Sequence, residues 1–361
     1  MPTASTSRRA RRIGILASAA ISLASLGGLA APMQSTAHTA MAASRAHLTP
    51  AVMHAPHYVV YAGSATTGVV FSCQLTSPPG CYGPQQIRQA YGIQSLLNRG
   101  ITGKGRTIVI VDAFQSPTIT QDLATFDTLF GLSAATLNII APDGLTPFDQ
   151  SSADQTSWAG EITLDVEWAH AVAPDATIDL VLAKSDQDAD ILSATTYAVD
   201  HNLGDVLSQS FGEAEICAGP TILAREHQLF QQATARRITL FASSGDQGAA
   251  LPTCDGSSYA LSVSTPASDP YVTGVGGTIL DANGTTGAYI GETAWNEPAF
   301  SAASGGGFST IYPKPFYQYG TPGIGRYRGV PDVAYNAAII GGVLAVWSSS
   351  GQGANLVFRF G

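Results

Sequence analysis

The stretch Gly160-Glu-Ile-Thr-Leu-Asp-Val-Glu-Trp-Ala-His170 sets two carboxylates, Glu161 and Asp165, four residues apart. On a helix such a pair lies side by side. At 100° per residue Ile162, Leu164, Val166, Trp168, Ala169, Ala171, Val172 and Ala173 spread over a wide apolar arc, and the two acids fall near its centre. Thr163, Glu167 and His170 cluster on the opposite face, where they are expected to meet water. An unpaired buried carboxylate costs on the order of several kcal/mol. Two so close cannot easily both ionise and must titrate as a unit, which suits them to proton transfer.

Two further acids stand where the chain leaves apolar strands. Asp112 ends "RTIVIVD", and Asp246 follows "ITLFAS" in the turn Ser244-Gly245-Asp246. Either alone is most often a turn residue or a helix cap. Between these runs, apolar strands ("LNII", "ATIDLVLA", "DVLSQS") alternate with helical stretches ("TITQDLATFDTLFG", "DILSATTYAVDH", "PTILAREHQLFQQATARR"). That alternation predicts an α/β fold, a doubly wound, mostly parallel sheet with helices on both faces. Chemistry in such folds sits at the carboxyl ends of the strands, where all four acids can converge. Beyond about residue 255 the chain turns rich in Gly, Ser, Thr and Pro, and short strands and hairpins over one end of the sheet are expected.

With 361 residues, 45% hydrophobic and 12% charged, the chain can bury a large core. Its start has the layout of a secretory signal: Arg8, Arg9, Arg11 and Arg12, then "IGILASAAISLASLGGLAAP", then Ala40-Met41-Ala42. Residues 1–42 are therefore expected to be removed on export, 43–72 to form a leader or linker, and 73–361 to form the folded domain. Loss of the four arginines would move the net charge from −9 to −13, which argues against a nucleic-acid partner. No stable membrane span is expected after cleavage, and a monomer is. The four cysteines lie in two neighbourhoods, Cys73 with Cys81 and Cys217 with Cys254, without metal-site spacing. In an exported protein they read as two disulfides paired within each neighbourhood, although four cysteines leave three connectivities open.

Taken together, "GEITLDVEWAHAVAPDA", "SSGDQG" (243–248), "TPASDPYVTGVGGT" (265–278), "ETAWNE", "SGGGFS" (304–309) and "RGVPDVAYNA" (328–337) resemble the sedolisin family of serine-carboxyl peptidases, over about residue 73 to the end. The resemblance implies a subtilisin-like fold and a polypeptide substrate. It makes Glu161 the general base for a serine hydroxyl, Asp165 the acid that holds Glu161 by a shared hydrogen bond, and Asp246 the oxyanion-hole acid. Only protonated Asp246 could donate to an oxyanion, which implies work in acid. Asp112 would extend the hydrogen-bond chain behind Glu161. Ser210 and Gly212, in Ser210-Phe211-Gly212, would line the substrate cleft, as would Gly305 and Gly306; an ordinary strand-to-helix turn is the plain alternative for the first pair. A cis bond before Pro266 is also implied. Ordinary subtilisins need a His in an H-G-x-H setting, and no His here is followed by Gly.

The sequence departs from the family in one decisive respect: the nucleophile motif G-T-S-x-x-x-P does not occur in these 361 residues. Ser304 and Ser309 only flank the Gly run. The chain is accordingly expected to be a truncated acid peptidase without turnover; a secreted pseudoenzyme with a peptide-binding cleft, or a surface protein on the same scaffold, are the alternatives. No cofactor is expected in this chain, and the calcium site implied for the full-length family would be missing with the nucleophile segment.

Overall fold

The computed structural model describes residues 58–64 and 70–361, apart from residue 355. The expected signal at 1–42 and most of the expected leader lie outside the described residues.

An eight-stranded sheet forms from β1 (Thr107–Ala113), β2 (Thr136–Ile140), β3 (Thr177–Ala183), β4 (Val206–Gln209), β5 (Thr239–Ser243), β6 (Val272–Ala282), β7 (Tyr289–Ala294) and β8 (Val333–Asn336). Its order is β7-β6-β5-β4-β1-β3-β2, with β8 also paired to β6. Every pairing is parallel except β6 with β7. The four interleaved helices are α1 (Ile119–Phe130), α2 (Ala153–Val172), α3 (Asp188–Asp200) and α4 (Pro220–Ala235). The doubly wound α/β fold is therefore the one that the alternating pattern implied. Its sheet extends further than the composition beyond residue 255 suggested, because β6 and β8 join it in parallel.

Side-chain alternation divides the sheet into two faces. Val109, Val111, Leu207, Leu240 and Ala242 share one buried cluster with Ala194, Ala198, Leu229 and Phe230 of α3 and α4. Ile110, Ile178, Leu180 and Leu182 share another with Ile162 and Val166 of α2. By the same period, Asp112 falls on the α2 face.

The far side of α2 is covered as well. A second, four-stranded sheet pairs Tyr58–Ser64 with Leu356–Phe360, Leu356–Phe360 with Gly342–Val346, and Gly342–Val346 with Cys81–Tyr82. The stretch read as leader thus contributes a strand. Trp347 lies so close to Gly160 that a Cβ there would stand 3.2 Å from its ring, Leu164 packs in the cluster with Trp347, Phe358 and Phe360, and the Trp168 indole donates to Leu344 O at 2.9 Å. The expectation that Thr163, Glu167 and His170 face water is therefore wrong: all three are fully buried. Glu167 accepts the Val346 N–H at 2.9 Å. Burial, above all, holds its carboxyl well above the ordinary range, and Asp122 and Asp127 push it further up.

The disulfides join Cys73 to Cys81 and Cys217 to Cys254. The first ties residues beside the second sheet; the second tethers the loop after Glu215 to the one before β6. The Thr265-Pro266 bond is cis, as are Ser77-Pro78 and Val330-Pro331.

Glu167→Ala leaves the buried Val346 N–H without an acceptor and is expected to lower stability by about 1–3 kcal/mol. Glu167→Gln keeps an acceptor and removes the ionisable group, so it should match or exceed the wild type at about pH 8. Urea midpoints of the three proteins check both statements; a glutamine variant as unstable as the alanine one would contradict the assignment.

Candidate active site

Three elements meet at the carboxyl edge of the sheet. The penultimate residue of β1 is Asp112, which is wholly buried. β4 lies beside β1 in the register Ile108↔Val206 and Ile110↔Ser208. Carried two residues on, that register sets Ser210 next to Asp112, and alternation turns Ser210 toward α2 because Leu207 and Gln209 point the other way. α2 begins at a Ser152 cap that accepts the Gln155 N–H at 3.3 Å. It lays Glu161, 4% exposed, and Asp165 over that edge.

The resulting contacts are specific. The Ser210 hydroxyl donates to Asp165 Oδ1 at 2.9 Å. Phe211 packs its ring 6.3 Å from that of Trp158, one turn before Glu161 on α2. Asp112 has neither carboxyl oxygen in a hydrogen bond. Its carboxyl is raised well above the usual range, first by burial, then by the charges of Asp165 and Glu161. Asp112, Glu161 and Asp165 thus form one electrostatic group in which at least one acid is best kept neutral. Behind Asp165, a cavity of about 290 Å³ separates α2 from the sheet, lined mainly by Ile108, Ile110, Val206 and Phe241, with Ser208 on its floor.

Asp246 stands three residues beyond β5, the strand next to β4. Since neighbouring strands lie about 4.8 Å apart, its turn is two strand spacings, roughly 10 Å, along the edge from the end of β1. The Gly run braces this turn. Gly305 N donates to Gly245 O at 2.6 Å and Ala303 N to Asp246 O at 2.8 Å, and the Ser244 hydroxyl donates to Gly305 O at 2.8 Å. A Cβ on Gly305 would fall 2.0 Å from Ser244 O, so only glycine fits there. Gly306 sits against Val330 and Pro331, and Gly212 against Ser264 and Thr265. Ser304 accepts the Gly277 N–H at 2.9 Å, and Ser309, buried, donates to Glu215 at 2.8 Å; both are held in structural bonds.

A second acid group escaped the sequence reading. Glu213 directly follows Ser210-Phe211-Gly212 and pairs with Thr265. Its carboxyl is pushed up to about 8 by burial and by Asp188 and Glu226. Glu226 is also raised to about 8, by burial, Asp188 and Asp269, against the lowering bond from Thr265. Asp188 is raised to about 6, chiefly by burial. The only local signal was Glu213 itself, an acid in a segment already assigned to the cleft. Among the described residues no group of three or more His, Cys, Asp or Glu side chains is arranged to hold a metal ion, and no helix is long and apolar enough to cross a membrane.

Comparison with known proteins finds serine-carboxyl peptidases. The chain is 34% identical over 271 residues to kumamolisin of Bacillus sp. (strain MN-32), covering 73% of this chain and 47% of that protein. It is 36% identical over 234 residues to sedolisin of Pseudomonas sp. (strain 101), covering 60% and 38%. It therefore spans less than half the length of these curated relatives. Among solved structures it matches Pseudomonas sedolisin, a serine-carboxyl proteinase, complexed with two molecules of pseudo-iodotyrostatin, at a TM-score of 0.63 and 29% identity over 76% of this chain and 75% of that one. No protein-family model matches the chain.

The raised acids fix a pH dependence. Glu213 and Glu226 keep their protons in the folded chain up to about pH 8, and Asp188 to about pH 6, whereas the unfolded chain releases them near pH 4. Their contribution is fully present below about pH 4 and is lost as pH rises through about 8. The urea midpoint should therefore fall from about pH 5 to pH 8, and Glu213→Gln should flatten part of that fall. A midpoint that climbs over this range would contradict the burial of these acids.

Proposed function

The chain is a homologue of the sedolisin family of serine-carboxyl peptidases with their subtilisin-like fold, and on that premise we propose that it is built for acid-side peptide-bond hydrolysis on an exported polypeptide-processing scaffold. The observation that carries the reading is the burial of Glu161 and Asp112, with half-buried Asp165 beside them, at the carboxyl edge of the sheet. In this reading Glu161 accepts the proton of a serine hydroxyl as it attacks the scissile carbonyl, and Asp165 shares its proton inventory. Asp246, protonated, donates to the oxyanion; one such donor is worth roughly 3 kcal/mol in the transition state. Glu161, carrying the proton taken from the serine, then returns it to the leaving amine. Gly305 lets the Gly run approach the Asp246 turn, Gly306 lets it approach Val330 and Pro331, and Gly212 lets the segment after β4 approach Ser264 and Thr265. The substrate is a polypeptide. Two disulfides and the basic-then-apolar start support export.

No Gly-Thr-Ser occurs in the sequence. These residues supply the base and the oxyanion acid but no family-type nucleophile, and turnover is expected only of a chain that also carries that motif. Peptide binding without cleavage on the same scaffold is the second reading.

Hydrolysis of an unfolded protein at about pH 4 tests both. The sequence as given should show no turnover, whereas a version extended through a G-T-S-x-x-x-P segment should cleave, and its Glu161→Gln variant should lose at least about 100-fold, the scale of general-base catalysis. Full activity of that variant would overturn the role of Glu161. Turnover by the unextended chain would overturn the statement about the nucleophile.

A further inference from the structure

The family resemblance makes Ser210 a wall of the substrate cleft, but its hydroxyl is already committed inward. It lies at the end of β4, on the α2 face of the sheet, half-buried, and donates to Asp165 Oδ1 at 2.9 Å. A hydroxyl donating to a carboxylate favours the ionised form and fixes the plane of the group. Beside Asp165 stand Glu161 on its own helix and Asp112 from β1, and Ile108, Ile110, Val206, Ser208 and Phe241 of the sheet line the cavity that Asp165 also lines. Asp112 differs from Asp165 in one respect that matters. Both of its oxygens are buried without a hydrogen bond, so a charge there would have no donor to stabilise it, while a neutral acid costs far less to bury.

We propose that Ser210 is a positioning residue for Asp165: its hydroxyl holds that carboxylate ionised and in one orientation, so that the proton of the buried group resides on Asp112 and leaves Glu161 able to accept another. This deepens the peptidase reading and rests on it, but it is tested without turnover. The geometry gives Ser210 a task that the substrate does not perform, because the bond exists in the chain alone.

The test follows the carboxyl carbons by NMR in protein carrying ¹³C-labelled aspartate, with Asp165→Asn and Asp112→Asn used to assign the two resonances. In the wild type, Asp165 should titrate below Asp112. Ser210→Ala should move the Asp165 titration up by about one pH unit, a tenfold gain in proton affinity, and Ser210→Thr, which keeps the hydroxyl, should restore it. An Asp165 curve unmoved by Ser210→Ala overturns the proposal and returns Ser210 to the cleft wall, where it would alter only peptide affinity. So does an Asp112 that ionises before Asp165. Failure of the extended chain to hydrolyse protein would sink the peptidase reading instead, and the titration would still report on Ser210.

Discussion

Helix α2 is enclosed on both sides, and this enclosure converts ordinary side chains into a proton-sharing group. A helix packed on one sheet keeps a wet face, and its acids can ionise there at little cost. Here the central sheet takes the Ile162 and Val166 side, while the strand Gly342–Val346 and Trp347 take the other. Water is excluded from Glu161 and Glu167 alike. In that setting the repulsion of neighbouring carboxylates is barely screened, so the acids must share protons, accept donors, or both. Glu167 is satisfied in part by a backbone N–H, Asp165 by a serine hydroxyl, and Asp112 by neither. The three solutions differ because three different partners are within reach, not because the acids differ in kind.

The parallel sheet decides which partners those are. Parallel strands carry their side chains in matched rows, so one register fixes several contacts together. With Ile110 opposite Ser208, Asp112 and Ser210 come to the same edge, and the next strand brings Asp246 to it. The close approach of Gly305 to Ser244 then seals the turn that holds Asp246. A shift of one residue in β4 would turn Ser210 toward the helices on the other face and remove the donor to Asp165.

Much of this was legible because it is local. The i, i+4 spacing of Glu161 and Asp165 on an apolar arc announced burial, the strand-end positions of Asp112 and Asp246 followed from the α/β alternation, and nearest-neighbour pairing gave both disulfides. What was not legible depends on distant parts of the chain. Glu167 read as solvated because nothing near it shows that strands from residues 58–64 and 356–360 help build a second sheet over it, and His170 because its partners Asp127 and Ser133 lie in a distant segment. Ser210 read as a cleft residue because its partner is 45 residues away. Asp188, Glu213 and Glu226 come from two helices and a short strand, each an unremarkable acid in its own segment, and become one group only after these elements pack together. The family resemblance supplied roles for the acids, but not the donor that orients one of them.

The account stands or falls on whether the buried acids share their protons unevenly, with Asp112 neutral. Infrared difference spectroscopy of the folded chain reads this directly, since a protonated carboxyl in an apolar site has its own stretching band. Protonated-carboxyl absorption at about pH 6 with one component that is lost in Asp112→Asn, while the components from Glu167, Glu213 and Glu226 remain, is the predicted result. A spectrum at that pH that Asp112→Asn leaves unchanged would contradict the account, because Asp112 would then carry a buried charge beside two other acids with nothing to hold it.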